Sequence, residues 1–214
     1  MTPGHFITFE GVDGCGKTTQ LNLAAEFLRE RDVPFITTRE PGGTRVAEMI
    51  RELILCPDHE EIVDSCELLL YLAARAQHVQ EKIRPALERG MSVLCDRFAE
   101  ATFAYQGYGR GFELENLVRL NDFATGGLTP SLTFIFDIPV ELAMDRMRGM
   151  GKAHDRLERN GREFHERVRE GYRAQAAAQT DRMVLFDGRR SIDELASEVR
   201  ARLSEKIGRK IAEV

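Results

Sequence analysis

The residues most able to do chemistry lie near the start of the chain. Gly11-Val12-Asp13-Gly14-Cys15-Gly16-Lys17-Thr18 matches the pattern G-x-x-x-x-G-K-[ST] in full. It follows a run that reads as a strand and opens a run that reads as a helix. Glycines let successive backbone N–H groups turn inward on an anion, and the helix N-terminus adds its positive dipole end. Lys17 is spaced to reach the β- and γ-phosphates of a nucleotide, and the Thr18 hydroxyl to ligate Mg²⁺. The set assigned to the nucleotide is Gly11, Val12, Asp13, Gly14, Cys15, Gly16, Lys17, Thr18 and Thr19. Asp13 is out of place electrostatically, because a carboxylate repels phosphate. It is read as holding an arginine or a sugar hydroxyl, or as a turn residue. Cys15 is read as a small filler, although neighbouring N–H dipoles could lower its thiol pKa.

A second group lies further along. Arg39-Glu40-Pro41-Gly42-Gly43-Thr44 and Asp96-Arg97-Phe98 each follow a strand-like run. Arginines there offer planar donor forks suited to a second phosphate. Tyr71 and Arg75 are four apart on one helix face, where a ring and a guanidinium could stack and hold a base. Tyr71 also reads as a core residue. Thr102, Tyr105 and Gln106 follow Arg97, and a glutamine amide can read a base edge or merely end a helix. Residues 146–162 carry Arg146, Arg148, Lys152, Arg156, Arg159 and Arg162 against Asp155 and Glu158, with Gly149, Gly151 and Gly161 between them. Arginines on a closing segment can stabilise charge on a migrating phosphoryl group. The segment is read as a lid rather than a solvated charged loop.

The elements must bring these pieces together. Strands are predicted at 6–9, 35–38, 92–95, 132–138 and 183–186, the fourth apolar throughout and so central. Helices are predicted at 17–31, after Thr44 to about 55, over 65–89 with a break near Arg84 before Pro85, at 99–105 and 113–125, at 140–148 and 162–181, and at 191–208. The glycines at 107, 109 and 111 are expected to separate two helical pieces. Alternating strands and helices predict an α/β fold, a five-stranded parallel sheet with helices on both faces and a short lid. Ligands of such sheets bind beyond the carboxyl ends of the strands. The chain of 214 residues is 43% hydrophobic and 30% charged, enough for one packed domain over 1–214. A net charge of −5 argues against a protein that coats nucleic acid. No apolar run is long enough to cross a membrane, and no secretory signal is visible. The four cysteines form no C-x-x-C pair, so reduced thiols in a cytoplasmic protein are expected.

At this level of detail the sequence resembles the bacterial thymidylate kinases, P-loop NTPases of the nucleoside monophosphate kinase type. The resemblance rests on F-E-G-x-D-G-x-G-K-T at 9–18, T-R-E-P-G-G-T at 38–44, Y-L-A-A-R at 71–75, D-R-F at 96–98, A-Y-Q-G at 104–107 and D-R-L-E at 155–158. It covers nearly the whole chain. It implies in-line phosphoryl transfer from Mg·ATP to dTMP, giving dTDP for dTTP synthesis. It implies that Tyr71 stacks on thymine, Arg75 and Arg39 lie near the acceptor, and Arg97 meets the acceptor phosphate. Thr102, Tyr105 and Gln106 sense the base and exclude a ribose. Asp13 holds the deoxyribose 3′-hydroxyl or positions Arg97, Asp96 joins Thr18 toward Mg²⁺, and residues 187–189 lie against adenine. Catalytic roles fall to Asp13, Lys17, Arg97 and a lid arginine. Some relatives carry that arginine inside the phosphate loop, but positions 14 and 15 here are Gly and Cys. Arg156 is therefore the first choice and Arg148 the second. A homodimer without nucleic-acid or membrane partners is implied as well. A kinase for dUMP, dCMP or a nucleoside would share the loop and lid. A GTPase switch would need N-K-x-D, which the sequence lacks.

Overall fold

The computed structural model describes residues 4–149, 156 and 160–208. Its strands are β1 (Phe6–Glu10), β2 (Phe35–Arg39), β3 (Ser92–Asp96), β4 (Leu132–Asp137) and β5 (Met183–Asp187). They form one parallel sheet in the order β2-β3-β1-β4-β5. The connection from β1 runs one way, past β3 to β2, and the connection from β3 crosses β1 the other way to β4, a reversal that opens a crevice over the strand ends. The register pairs Phe9 with Asp96, Arg39 with Asp96, and Asp137 with Asp187, so the predicted site segments emerge at one end. β4 is interior, flanked by β1 and β5, but the centre of the sheet is β1.

Side chains alternate across the sheet. Ile7, Phe9 and Leu94 join one apolar cluster with Leu21 and Leu28 of α1 (Lys17–Arg29) and Leu195 and Val199 of α9 (Ile192–Ile207). Phe6, Val93 and Cys95 join another with Val79, Ile83 and Ala86. Helices thus cover both faces. Thr44 caps α2 (Arg45–Leu55), its side chain accepting from the Ala47 N–H. Ser191 and Glu194 close a capping box on α9. Among the described residues no helix is long and apolar enough to cross a membrane.

The break expected near Arg84 is a π-turn. α3 (Asp64–His78) passes into Val79–Ile83, where the Arg84 N–H bonds five residues back to the Val79 carbonyl, and α4 (Arg84–Glu88) carries Pro85 in its first turn. The glycines at 107 and 109 do not separate two helices. α5 (Ala99–Thr102) continues as a π-helical run, Phe103–Gly109, before α6 (Leu114–Thr125). A Cβ on Gly107 would lie 2.7 Å from Leu114 Cδ2, and one on Gly109 2.7 Å from Phe164 Cε2. These glycines serve close packing rather than helix breaking. After α7 (Val140–Gly149), α8 (Arg162–Ala178) ends three residues before the expected stop. The Gln179 carbonyl there accepts the N–H groups of Arg182 and Met183, turning the chain into β5.

Candidate active site

The chain leaves β1 at Glu10, winds through 11–16 and enters α1 at Lys17. Gly16 stands at the helix start in the left-handed region (φ 94°), with no side chain capping the first turn. The N–H groups of that turn are left for an anion. Gly14 also needs φ > 0 (79°), and a Cβ there would lie 2.7 Å from the Ala143 carbonyl oxygen. Burial pushes the Cys15 thiol up despite Lys17, so the dipoles do not activate it and it packs as a filler.

Asp13 holds an arginine. Its Oδ1 accepts from Arg97 Nη2 at 2.6 Å and from Lys17 Nζ at 3.1 Å, so an ammonium and a guanidinium converge on one carboxylate oxygen. The Tyr105 hydroxyl donates to Oδ2 at 3.2 Å. Burial works to raise the Asp13 carboxyl, but Arg97 and Lys17 outweigh it and hold it well below the usual range. Burial and Arg97 press Lys17 toward neutrality, yet Asp13 keeps its pKa raised. Arg97 itself sits at φ 70°, in the left-handed region, with its N–H on the Phe9 carbonyl. Its guanidinium lies 5.1 Å from the Tyr105 ring centre, and its Nη1 donates to the Tyr172 hydroxyl at 2.8 Å. Behind it, Glu10 is fully buried. Burial first, then Glu100, pushes the Glu10 carboxyl up to about 8 against the pull of Arg97. Beside the loop, Thr18 Oγ1 donates to Asp96 Oδ2 at 2.5 Å. This hydroxyl–carboxylate pair is a fragment of an oxygen ligand set; among the described residues no cluster of three or more His, Cys, Asp or Glu could hold a metal alone.

These groups line a cleft of about 580 Å³. Asp13, Gly14, Gly16, Lys17, Thr18, Thr19, Arg39, Tyr71, Arg75, Asp96, Arg97, Thr102, Tyr105 and Gln106 all face it. The predicted loop and acceptor residues are thereby gathered, apart from Gly11 and Cys15 and from Val12, which lines a neighbouring cavity of about 400 Å³. Tyr71 is half-buried and Arg39 exposed, the latter paired with Glu48 at 2.9 Å. Arg75 is nearly sequestered. Its Nε donates to Glu40 Oε2 at 2.7 Å, Nη1 to Thr102 Oγ1 at 2.9 Å and Asn121 Oδ1 at 3.1 Å, and Nη2 to the Phe98 carbonyl at 2.8 Å. His78 Nδ1 closes on the other Glu40 oxygen at 3.0 Å. Burial works to raise Glu40, but Arg75 outweighs it and the carboxyl is lowered. Gln106 gives its amide nitrogen to the fully buried Glu67 at 2.9 Å.

Arg156 bonds to residues outside the phosphate loop. Its Nη2 donates to Glu67 Oε2 at 2.5 Å and its Nε to the Ile54 carbonyl at 3.0 Å, so the guanidinium is seated on α3 and the end of α2. A buried carboxylate competes for it with any phosphate. Arg148 lines the 400 Å³ cavity beside Val12 and Asp13. Of the predicted lid, Gly151, Lys152, Asp155, Glu158 and Arg159 lie outside the described residues. On the far side, Arg146 reaches the Gly14 and Gly188 carbonyls at 3.4 and 3.3 Å, tying 187–189 to the phosphate loop.

Sequence reasoning missed Glu10, Glu40, Glu67, His78, Asn121 and Tyr172. A carboxylate in an apolar strand was the available signal for Glu10 and one on the inner face of a helix for Glu67, whereas Glu40, in the turn after β2, offered none. The arrangement as a whole can hold a polyphosphate at the loop and a second anion against Arg97, with Lys17 and Arg97 on either side of Asp13.

Comparison with known proteins agrees with this chemistry. A family model described as thymidylate kinase matches residues 9–199. A thymidylate kinase from Exiguobacterium is 49% identical over 196 residues, 92% of each chain. One from Carboxydothermus hydrogenoformans is 51% identical over 197 residues, covering 92% of this chain and 95% of its own. The solved thymidylate kinase of Ehrlichia chaffeensis superposes with a TM-score of 0.74 at 35% identity, covering 94% of this chain and 99% of that one.

Proposed function

The chain belongs to the thymidylate kinase family, which phosphorylates dTMP to dTDP with ATP, and from that premise we propose how its own residues carry the reaction. The convergence of Lys17 and Arg97 on Asp13 carries the proposal. Lys17 and the loop N–H groups hold the β- and γ-phosphates, Arg97 holds the phosphate of dTMP, and Asp13 keeps both cations in place until the anions arrive. The acceptor phosphate is ionised at neutral pH, so no general base is required. Positioning and charge stabilisation do the work. Mg²⁺ would be held by Thr18 and Asp96 with phosphate oxygens and water, and would neutralise charge between the β- and γ-phosphates.

Tyr71 stacks on the base, and Arg75, Thr102, Tyr105, Gln106 and Arg39 shape the acceptor pocket around it. Gln106 gives one amide N–H to Glu67, which leaves its amide oxygen and its second N–H to read a base edge. The role of the lid arginine passes from Arg156 to Arg148, because Arg148 stands beside the loop whereas Arg156 is held by Glu67. Residues 1–214 act as one kinase domain with a lid at about 146–162. In the presence of Mg·ATP and dTMP the protein is expected to release ADP and form dTDP. Arg97→Ala lowers kcat at least about 10²-fold, the scale of losing one charge-stabilising contact. Near-normal turnover in that variant would remove Arg97 from the mechanism.

The protein works as a homodimer in the cytoplasm. Its four cysteines are free. Leu53 on α2, Leu69 on α3 and Val118 on α6 are exposed, and Phe123 is 90% exposed. α3 packs against both α2 and α6, so these side chains belong to adjoining helices. Apolar exposure on this scale marks an interaction surface, and a second copy of the same chain satisfies it by two-fold pairing. Light scattering should give twice the 24.2 kDa chain mass, and Phe123→Asp with Val118→Asp should halve it. A monomeric wild type would contradict the assignment.

A further inference from the structure

Arg97 is held from behind by two residues that no part of the reaction touches. Its Nη1 donates to the Tyr172 oxygen at 2.8 Å, and the Tyr172 hydroxyl donates to Glu10 Oε2 at 3.0 Å. Glu10 Oε1 accepts the Phe98 N–H at 2.6 Å. Tyr172 is 2% exposed and Glu10 0%. The Tyr172 ring meets Tyr105 edge-on, with centroids 6.4 Å apart. The chain therefore runs from a guanidinium in the cleft, through a phenol on α8, to a carboxylate at the end of β1.

We propose that Tyr172 and Glu10 are positioning residues for Arg97, fixing its guanidinium plane before the acceptor phosphate binds. The inference rests on the role given to Arg97 above. An incoming phosphate contends with Asp13 for the same guanidinium, and the Asp13 contact at Nη2 is the one it weakens. The contact at Nη1 points the other way, into the protein, and survives. Tyr105 also touches the guanidinium, through its ring and a 3.2 Å bond from Nη2 to its hydroxyl, but only Tyr172 holds Nη1, and a long side chain held there keeps its plane instead of being ordered again for each turnover.

The direction of the bonds matters. With Glu10 ionised, Tyr172 donates to it and its oxygen accepts from Arg97. With a proton on Oε2, Glu10 donates to the same phenol oxygen and competes with Arg97. The groups that set this balance are Arg97 after β3, Tyr172 on α8 and Glu100 on α5, whose own Oε1 carries Arg182 at 2.8 Å. A glutamine at position 10 mimics the protonated form. Its oxygen is needed by the Phe98 N–H, so its NH₂ faces the phenol.

The test is a mutant cycle at pH 9, where Glu10 is ionised, with ADP release measured for wild type, Tyr172→Phe, Arg97→Ala and the double variant. Tyr172→Phe loses one hydroxyl and should lower kcat roughly five- to twentyfold, as expected for a hydrogen bond to a charged group. Added to Arg97→Ala it should change kcat by less than about twofold, because nothing remains to position. Glu10→Gln should lose turnover likewise, yet melt at a higher temperature than wild type above pH 8. A carboxyl with a raised pKa contributes fully below about 4.5, and that contribution is lost as pH rises to about 8. Glutamine escapes the loss. Full turnover in Tyr172→Phe, or a cost that adds undiminished to Arg97→Ala, overturns the inference. So does a Glu10→Gln variant that is inactive only because it melts earlier. Failure of the wild type to release ADP with dTMP would instead overturn the kinase assignment itself.

Discussion

Replacing Lys17 by Met is expected to lower kcat at least about 10²-fold and to leave the fold in place. The side chain is buried, and methionine fills a similar volume, so packing is kept. What is lost is the ammonium that faces charge developing between the β- and γ-phosphates. The fold survives because Asp13 is not orphaned. Arg97 stays on its Oδ1 at 2.6 Å and Tyr105 on its Oδ2 at 3.2 Å. Turnover with saturating Mg·ATP and dTMP, alongside a circular-dichroism melt, separates the two effects. Near-normal kcat would contradict the role, and a collapsed melt would make Lys17 structural.

The second large effect falls on stability. Arg75→Met strips the guanidinium from Glu40, whose carboxylate is 5% exposed as a residue and keeps only His78 as an ionisable partner among its described contacts. Breaking a buried pair by removing one partner costs about 3–5 kcal/mol. For a chain of this length that lowers the melting temperature by on the order of 10 °C. Glu40→Gln in the same chain should restore part of the loss, since no charge is then stranded. The pH dependence has a definite sign. In wild type the Glu40 carboxyl lies below its ordinary value near 4.5, so its contribution is full above that value and fades as pH falls below it. In Arg75→Met the carboxylate keeps only its His78 contact, and the deficit should shrink toward acid pH. A variant within about 1 °C of wild type at pH 7 would show that Arg75 is not the keystone of this cluster.

Most of the sheet was legible in the sequence because each strand is a short apolar run and each helix an amphipathic one. The phosphate loop was legible because its spacing is dictated by one geometry. Arg39, Tyr71, Arg75 and Arg97 were found from their places after strands or on one helix face, and all line the cleft. The carboxylates behind them were not. Glu10, Glu40 and Glu67 look like ordinary charges in a sequence; only folding reveals that each is turned inward, Glu40 and Glu67 against arginines and Glu10 against the Tyr172 hydroxyl and the Phe98 N–H. Arg156 shows the same limit. Its position in a basic segment suggested a phosphate partner, and a sequence does not show that Glu67 comes within reach of its guanidinium. Gly107 and Gly109 looked like breaks because a sequence does not show what packs against a missing Cβ. The end of α8 was misplaced for a comparable reason, since the turn into β5 is set by the Gln179 carbonyl rather than by propensity.

The most direct test of the central claim is ADP release from Mg·ATP with dTMP, dUMP, dCMP, dGMP, UMP and thymidine as acceptors. The cleft described here predicts strong preference for dTMP and little turnover without an acceptor. Equal or faster transfer to another monophosphate or to thymidine would contradict the roles of Tyr71, Arg75 and Gln106, and release indifferent to every acceptor would contradict phosphoryl transfer to a nucleotide altogether.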